Sequence, residues 1–462
     1  MWFRQDLRLA DHPALSAAAA AGPVLPVFIL DDETPGQWAW GGASRWWLHE
    51  SLKALSAKGP LVLRRGRADE MLHALLVSTN ASGLYFTRDY APWSAALEAR
   101  IKGICDSAGI TCHRYGGFLL HEPEQIRNGS GQAFKVYTPF ARACLARGEP
   151  RAAKPSPKTT WAQHDAGSDR LEAWALQPRK PDWAKGFSGV WQPGEQGAEQ
   201  QLARFLDQSL RGYAEGRDRP DQDFTSRLSP HLHWGEISPH RVWQTVSHAM
   251  QAQPGFLDRD GEKFHKELLW REFSNHLLQE FPAFPDKPYR SEFSSFPWRD
   301  DAAALKAWQC GETGYPIVDA GMRELWATGY MHNRVRMIAA SFLIKHLLLP
   351  WQAGEGWFWD TLVDADIANN AASWQWVAGC GADAAPYFRI FNPVLQGEKF
   401  DPDGAYVKRW LPELRDVPTD AIHKPWTLAL PPRNYARPIV DHGIARSRAL
   451  AAFKSISKEG LP

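Results

Sequence analysis

The sequence predicts a two-part protein: an α/β N-terminal domain built on a doubly wound parallel sheet, then a larger all-α domain. Three observations carry this. Through about residue 120, short apolar runs alternate with helical stretches, as in a parallel sheet covered by helices. From about residue 196 onward nearly every segment has helical period, and no strand-like alternation interrupts it. Between the two lies a stretch rich in Pro, Gly, Lys and Trp and poor in period (KPSPKTTW, LQPRKPDW, WQPGEQG). A length of 462 residues has room for two domains or three. We therefore expect an α/β domain over 1–125, a connector over 126–195 and a helical domain over 196–462.

In the first part, strands are predicted at Val24–Leu30, Leu61–Arg64, Leu84–Thr87 and Ile110–Tyr115. Helices are predicted at Ala14–Ala21, Ser44–Ala57, Ala68–Ser78 and Ser94–Ala108. Only Met1–Phe3 precede the charged RQDLR, so the first strand is either very short or truncated. No GxGxxG follows any strand, so the usual dinucleotide fingerprint is absent. The connector holds one helix around Thr138–Ala146. In the last part, Gly197–Leu210 opens the helical series, and Ser229-Pro230 and Ser238-Pro239 read as N-caps with proline at the first helical position. Lys263–Glu280, Asp300–Gln309, Asp319–Thr328 and Met331–Leu349 follow, with Gly329 between the last two.

Composition narrows the function classes. Lys+Arg number 53 against 52 Asp+Glu, a formal net charge of +1, so any nucleic-acid surface must be a local basic face. Five scattered cysteines with no CxxC pair argue against a disulfide framework, a structural zinc or an iron–sulfur cluster, and no metal site is expected. The N-terminus is too charged for a secretory signal and no apolar run approaches membrane-spanning length, which predicts a cytoplasmic protein without a membrane anchor. Tryptophans number 23, against 22 phenylalanines and 11 tyrosines, and so many large amphipathic rings suggest stacking surfaces as well as core.

Four stretches carry candidate chemistry. DADIANNAASWQW sets Asp364 and Asp366 beside Asn369 and Asn370, then Trp374 and Trp376, with small residues between, so a large planar group could lie against the backbone. An amide beside a flat ring exchanges hydrogen bonds as the ring's charge changes, and a carboxylate holds a ring NH or a ribose. The plainer reading is a polar N-cap and an amphipathic helix with Trp374 in the core. TSRLS, Thr225–Ser229, offers hydroxyls and Arg227 before a helix start, a pyrophosphate grip or simply a cap, with Tyr213 twelve residues upstream. On a helix, Glu267, Trp270 and Arg271 of ELLWREF share one face, suited to an unstacked base or to an exposed Glu–Arg pair over a half-buried ring. In HNRVRM, Arg336 could pair with Asp364 beneath a cofactor, or both could be surface charges.

Taken in order, WFRQDLRL, KVYTPFAR, TSRLSPHLHWGEISP, LLWREF, TGYPIVDAGMREL, YMHNRVRM and DAAPYFRIFNPVLQGEKFD span nearly the whole chain. Together they resemble the photolyase/cryptochrome family, most of all its class I cyclobutane pyrimidine dimer DNA photolyases. The resemblance implies an N-terminal α/β domain, a long connector and a helical domain holding FAD in a U shape. It also implies an enzyme, a carbon–carbon lyase: reduced anionic FADH absorbs near-UV or blue light, passes an electron to a flipped-out dimer, and recovers it once the cyclobutane ring has split. The partner is UV-damaged DNA, met by a monomer that needs no protein partner and is nucleoid-associated when bound.

By the same resemblance, Tyr213, Thr225, Ser226, Arg227, Leu228 and Ser229 hold the FAD phosphates. Asp364, Ala365 and Asp366 surround flavin and ribose with Arg336 as partner of Asp364, Glu267 and Arg271 border the cofactor, and Asn370 faces flavin N5. Trp374, Trp351 and Trp298 match the chain that relays an electron from the surface. Glu267, Trp270, Met337, Trp376 and Asn333 match the dimer pocket, with Glu267 assigned to a base edge. Arg217, Arg334, Arg389 and Gln396 match positions around the DNA backbone and the lesion.

Branch markers support this. His332-Asn333 stands where six-four photolyases carry His-His, clustered cysteines are missing, and Trp376 keeps the second ring of WQW. A second, light-harvesting antenna is left open in identity and presence: in RDYAPW (Arg88–Trp93), Ala91 follows Tyr90 where folate-binding relatives soon show glutamate. The rival reading is a cryptochrome-type photoreceptor with the same fold and FAD. A light-independent flavin reductase would leave the tryptophans without a role.

Overall fold

The computed structural model describes residues 1–164, 166–384 and 388–458. Five parallel strands form one sheet: β1 (Trp2–Phe3), β2 (Val27–Leu30), β3 (Val62–Arg65), β4 (Gly83–Thr87) and β5 (Thr111–Tyr115), in the order β3-β2-β1-β4-β5. The chain runs outward from β1 to β3 and then crosses back to β4, which is double winding with its switch beside β1. Helices Pro13–Ala21, Gly42–Ser56, Ala68–Ser78 and Ser94–Ser107 fill the crossovers. Buried Trp2, Val27, Ile29, Leu72, Phe86 and Ile101 form one apolar cluster between sheet and helices.

The first strand is as short as the charged RQDLR requires. Trp2 pairs with Val27 and Phe86, and Phe3 with Phe28. Beyond it the charges are used internally. Arg4 bridges Asp89 and Glu98 at 3.1 and 2.7 Å. Arg8 is buried and donates to the carbonyls of Ala10, Asp11, Gly117 and Gly235, so its guanidinium is tied to backbone from distant segments.

Two compact units make up the chain. The first comprises Met1–Arg211, Ser226–Pro282 and Val363–Asp366, so it adds helices Glu195–Gln208, Pro239–Ala252 and Asp258–Glu280 to the sheet. Residues 126–195 are mostly irregular, with helix Tyr137–Ala146 and two 3-10 turns. The second unit comprises Gly212–Thr225, Ala283–Leu362 and Ile367–Pro462. It is built from helices including Ala302–Cys310, Pro316–Thr328, Trp351–Thr361, Ile367–Ala378 and Pro393–Phe400.

Two local expectations are corrected. Ser238 does cap its helix, accepting from the Arg241 NH at 3.0 Å, but Ser229 does not: it is the first residue of Ser229–His233 after Leu228. Its hydroxyl donates to Asp364 Oδ2 at 2.6 Å instead of accepting from a helix NH. The single helix expected over Met331–Leu349 is Asn333–Ser341 followed by a π-helical turn, Phe342–His346. All five side chains of that wide turn are buried, Lys345 and His346 among them. Gly329 ends the preceding helix at φ 67, the left-handed position that glycine takes without strain.

Candidate functional site

In the first unit, residues 226–230 meet the DAD stretch, residues 364–366; Thr225 falls in the second unit. Arg227 adopts φ 51, rare for a residue with a side chain, and turns the loop just before the short helix. Ser226 presents its carbonyl to Gln201 Nε2 at 2.8 Å, and the Arg227 guanidinium lies 6.0 Å from the Trp191 ring centre. Ser229 orients Asp364, and His233 Nδ1 lies 3.5 Å from Asp366 Oδ2 while Gln5 Nε2 reaches the same imidazole. Trp234 Nε1 donates to the Val363 carbonyl at 3.4 Å, and Ala365 is buried between the two carboxylates. Both acids are therefore held in place by side chains from TSRLSPHLHW.

The 23-residue helix Asp258–Glu280 carries the other expected residues of this unit. Trp270 lies flat on Tyr137, ring centres 3.6 Å apart and planes 5° from parallel, so one of its faces is covered. Glu267 pairs with Lys263 at 3.1 Å, one turn away. Arg271 does not form the expected exposed pair with Glu267. It donates to the Phe118 carbonyl at 2.9 Å and lies 4.2 Å over the Phe118 ring. Its neighbour Glu272 accepts from the NH groups of Leu120 and His121. Burial pushes the Glu272 carboxyl up to about 7, against the pull of Arg271 and those two NH groups.

In the second unit, Asn370 donates its side-chain NH to the Glu355 carbonyl at 3.0 Å. That bond assigns the amide orientation and leaves Oδ1 as the acceptor for a partner's NH. Ala368 and Ala371 beside it are buried and take up little space. Gln375, fully buried, clamps the helix Ile367–Ala378: it donates to the carbonyls of Phe284 and Lys287 at 2.6 and 2.9 Å and accepts from the Tyr289 NH at 2.8 Å. Trp374 and Trp376, on either side of that clamp, diverge in burial, the first in the core and the second half-buried.

The three expected relay tryptophans all lie in this unit. Trp374 and Trp351 are buried, and Trp298 is partly exposed and packs on Phe296 at 4.2 Å. Helix Trp351–Thr361 comes so close to Trp374 that a Cβ on Gly354 would stand 2.1 Å from the indole. Phe358 and Trp308 complete the ring cluster, edge-on to Trp374 at 5.0 and 6.2 Å.

A cavity of about 670 Å³ opens on the same unit. Arg334, Met337, Arg389 and Gln396 line it as the expected set, and Arg219 and Lys399 add charge, so four cations face two carboxylates, Glu215 and Asp218. Arg334 is held by Asp218 at 2.8 Å and lies 4.4 Å over Phe400. Arg217 sits 3.9 Å from Asp218 and 5.7 Å from the Tyr213 ring, but does not line the cavity. Asn333 is exposed at the start of its helix, where His332 Nδ1 accepts from the Arg334 NH at 3.2 Å. Arg336 donates Nε to the Met331 carbonyl at 2.7 Å and stacks on Tyr330. Ala385–Tyr387 of DAAPYFRIFNPVLQGEKFD lie outside the described residues. Among the described residues no group of three His, Cys, Asp or Glu side chains could hold a metal ion, and no helix is long and apolar enough to cross a membrane.

Residues 1–158 match the family model "DNA photolyase", and residues 264–455 match "FAD binding domain of DNA photolyase". The chain is 50% identical to a deoxyribodipyrimidine photo-lyase of Agrobacterium fabrum, over 99% of this chain and 98% of that one. It belongs to the photolyase/cryptochrome family. A crystal structure of a bacterial class III photolyase from Agrobacterium tumefaciens superposes with a TM-score of 0.95 at 49% identity, covering 99% of this chain and 97% of that one. An archaeal photolyase structure from Sulfolobus tokodaii with two FAD molecules, titled as implying a novel light-harvesting cofactor, gives 0.82 at 30%, covering 98% and 99%. Cryptochrome-2 of Arabidopsis thaliana is 38% identical over 96% of this chain and 77% of its own length.

This member of the family carries the FAD-binding domain, and the residues present fit the cofactor. Within the first unit the two pre-oriented carboxylates stand beside a hydroxyl-bearing loop, which suits a ribose and a pyrophosphate. Within the second, taken by itself, Asn370 sets an amide oxygen beside small buried residues, which suits a flat ring. Sequence reasoning missed Tyr137, Asp218, Gln375, Gly354 and Glu355. KVYTPFAR and the central residue of WQW held faint signals for the first and third. The others act through backbone or packing, which residue type does not reveal.

Proposed function

We propose that this photolyase-family chain is a deoxyribodipyrimidine photo-lyase that repairs cyclobutane pyrimidine dimers in DNA with light. The observation that carries the reading is the cationic cavity lined by Arg334, Arg389, Lys399 and Met337. Its volume, about 670 Å³, is of the size that holds a nucleotide-scale ligand. Photolyases are among the enzymes that extrude their target from the duplex, at a cost of about a few kcal/mol. Guanidinium contacts to the flanking phosphates offset that cost without reading sequence. Bound reduced FAD supplies the light-absorbing one-electron donor. Asn370 would offer its amide oxygen to the ring, and Asp364 and Asp366 would hold polar groups of the cofactor. Trp298, Trp351 and Trp374 would be the route by which an electron reaches the cofactor. In the first unit Glu267, once parted from Lys263, would hydrogen-bond a base and Trp270 would offer its uncovered face. In the second, half-buried Trp376 would offer an apolar face of its own. Repair would break two carbon–carbon bonds of the dimer with no net redox change.

The 49% likeness to a class III photolyase favours that branch over class I. Five free cysteines suit a monomer working in a reducing cytoplasm. A second antenna is supported by the two-FAD relative. In RDYAPW, Tyr90 donates to Glu122 and Arg88 pairs with Glu122 and Glu124. The cryptochrome likeness favours a second reading, a blue-light photoreceptor. Binding in the dark separates the two: the repair reading expects oligonucleotides with one cyclobutane dimer to bind at least a hundredfold more tightly than undamaged or six-four DNA. Equal binding of all three would move the assignment to the photoreceptor.

A further inference from the structure

Lys345 is 3% exposed in the π-helical turn Phe342–His346. Its Nζ donates to the Arg389 carbonyl at 2.5 Å and lies 4.3 Å from the centre of the Phe388 ring. Among the described residues no carboxylate pairs with it. An ammonium buried with one neutral acceptor costs stability, and an apolar side chain of similar length would sit there at less cost. What the amine contributes is a tether. Ser341, on the same face of the chain, accepts from the Phe391 NH at 3.5 Å, and Phe388 is stacked on Phe453 of the C-terminal helix at 4.7 Å. The tethered stretch then places Arg389, Ile390 and Phe391 along the wall of the cationic cavity. A narrow cleft lined by Ser341, Lys345, Trp376, Arg389 and Phe391 joins the same residues.

We propose that Lys345 is a positioning residue, which sets the Arg389–Phe391 wall for damaged DNA without touching it. This rests on the reading of the cavity as the lesion site. Burial pushes the Lys345 amine down to about 7; the Cys380 thiol opposes that shift and the Arg389 guanidinium adds to it. The other charged or titratable groups nearby are His442 and Arg448 of the C-terminal helix, both engaged with His346. Cys380 is itself pushed up to about 12 by burial and stays neutral across the physiological range. Among these groups around the tether, Lys345 is the one that burial brings to about 7.

The test uses FAD-loaded full-length protein and a dimer-containing oligonucleotide in the dark. Lys345→Met is expected to weaken dimer binding tenfold or more while the melting temperature holds or rises. Lys345→Arg is expected to keep affinity and to flatten the wild type's loss of affinity as pH rises from 6 to 8.5. Wild-type affinity in Lys345→Met, or a loss matched by a fall in melting temperature, would overturn the proposal. So would the same pH profile in wild type and Lys345→Arg. Wild-type protein that does not prefer dimer DNA would instead overturn the cavity reading beneath it.

Discussion

Asn370 shows how much a single side chain's partners decide. One of its two N–H donors is committed to the Glu355 carbonyl, which fixes the amide and leaves its oxygen free to accept from a bound ring. An aspartate cannot donate to that carbonyl and would either take up a proton or turn away. Asn370→Asp is therefore expected to change which redox states of the flavin accumulate on illumination, followed by absorption spectra; identical spectra would remove Asn370 from the ring. Trp374→Phe should block photoreduction of oxidised enzyme and spare repair by enzyme already reduced. Ordinary photoreduction in that variant would take Trp374 out of the relay. Residue types drew attention to the stretch that holds Asn370 and Trp374, and the family resemblance singled the two out. Their supports were not legible, because the Glu355 carbonyl is a backbone group and Gln375's acceptors are 88 and 91 residues distant.

Between elements, the crossing of helices Trp351–Thr361 and Ile367–Ala378 turns on Gly354. Helix propensity favours alanine over glycine by about 1 kcal/mol. Here a Cβ would meet Trp374 at 2.1 Å, a ring gripped by Phe358 and Trp308. Gly354→Ala should therefore destabilise the protein by about 1–3 kcal/mol in denaturant melts and slow photoreduction. A more stable variant would show that the helices have room to part. Strand and helix order was legible from apolar period, as was the stub strand from the charges behind it. The π turn and the inverted role of Ser229 were not: Lys345 and Ser229 each bond a partner distant in sequence, Arg389 and Asp364.

At the scale of the whole molecule, a formal charge of +1 hides a concentrated cationic cavity. Binding to damaged DNA should weaken linearly with salt on a log–log scale, and Arg389→Ala should reduce the slope by about 0.9 if Arg389 contacts one phosphate. An unchanged slope would place Arg389 off the backbone. Net charge could not have revealed this face, since the cavity's cations come from segments as far apart as Arg219 and Lys399. The most direct measurement is repair itself: reduced, FAD-loaded protein with a thymine-dimer oligonucleotide, split between darkness and blue light. The account predicts restored thymines in the illuminated sample alone. Intact dimers in both, from protein that binds the lesion and holds reducible FAD, would contradict it.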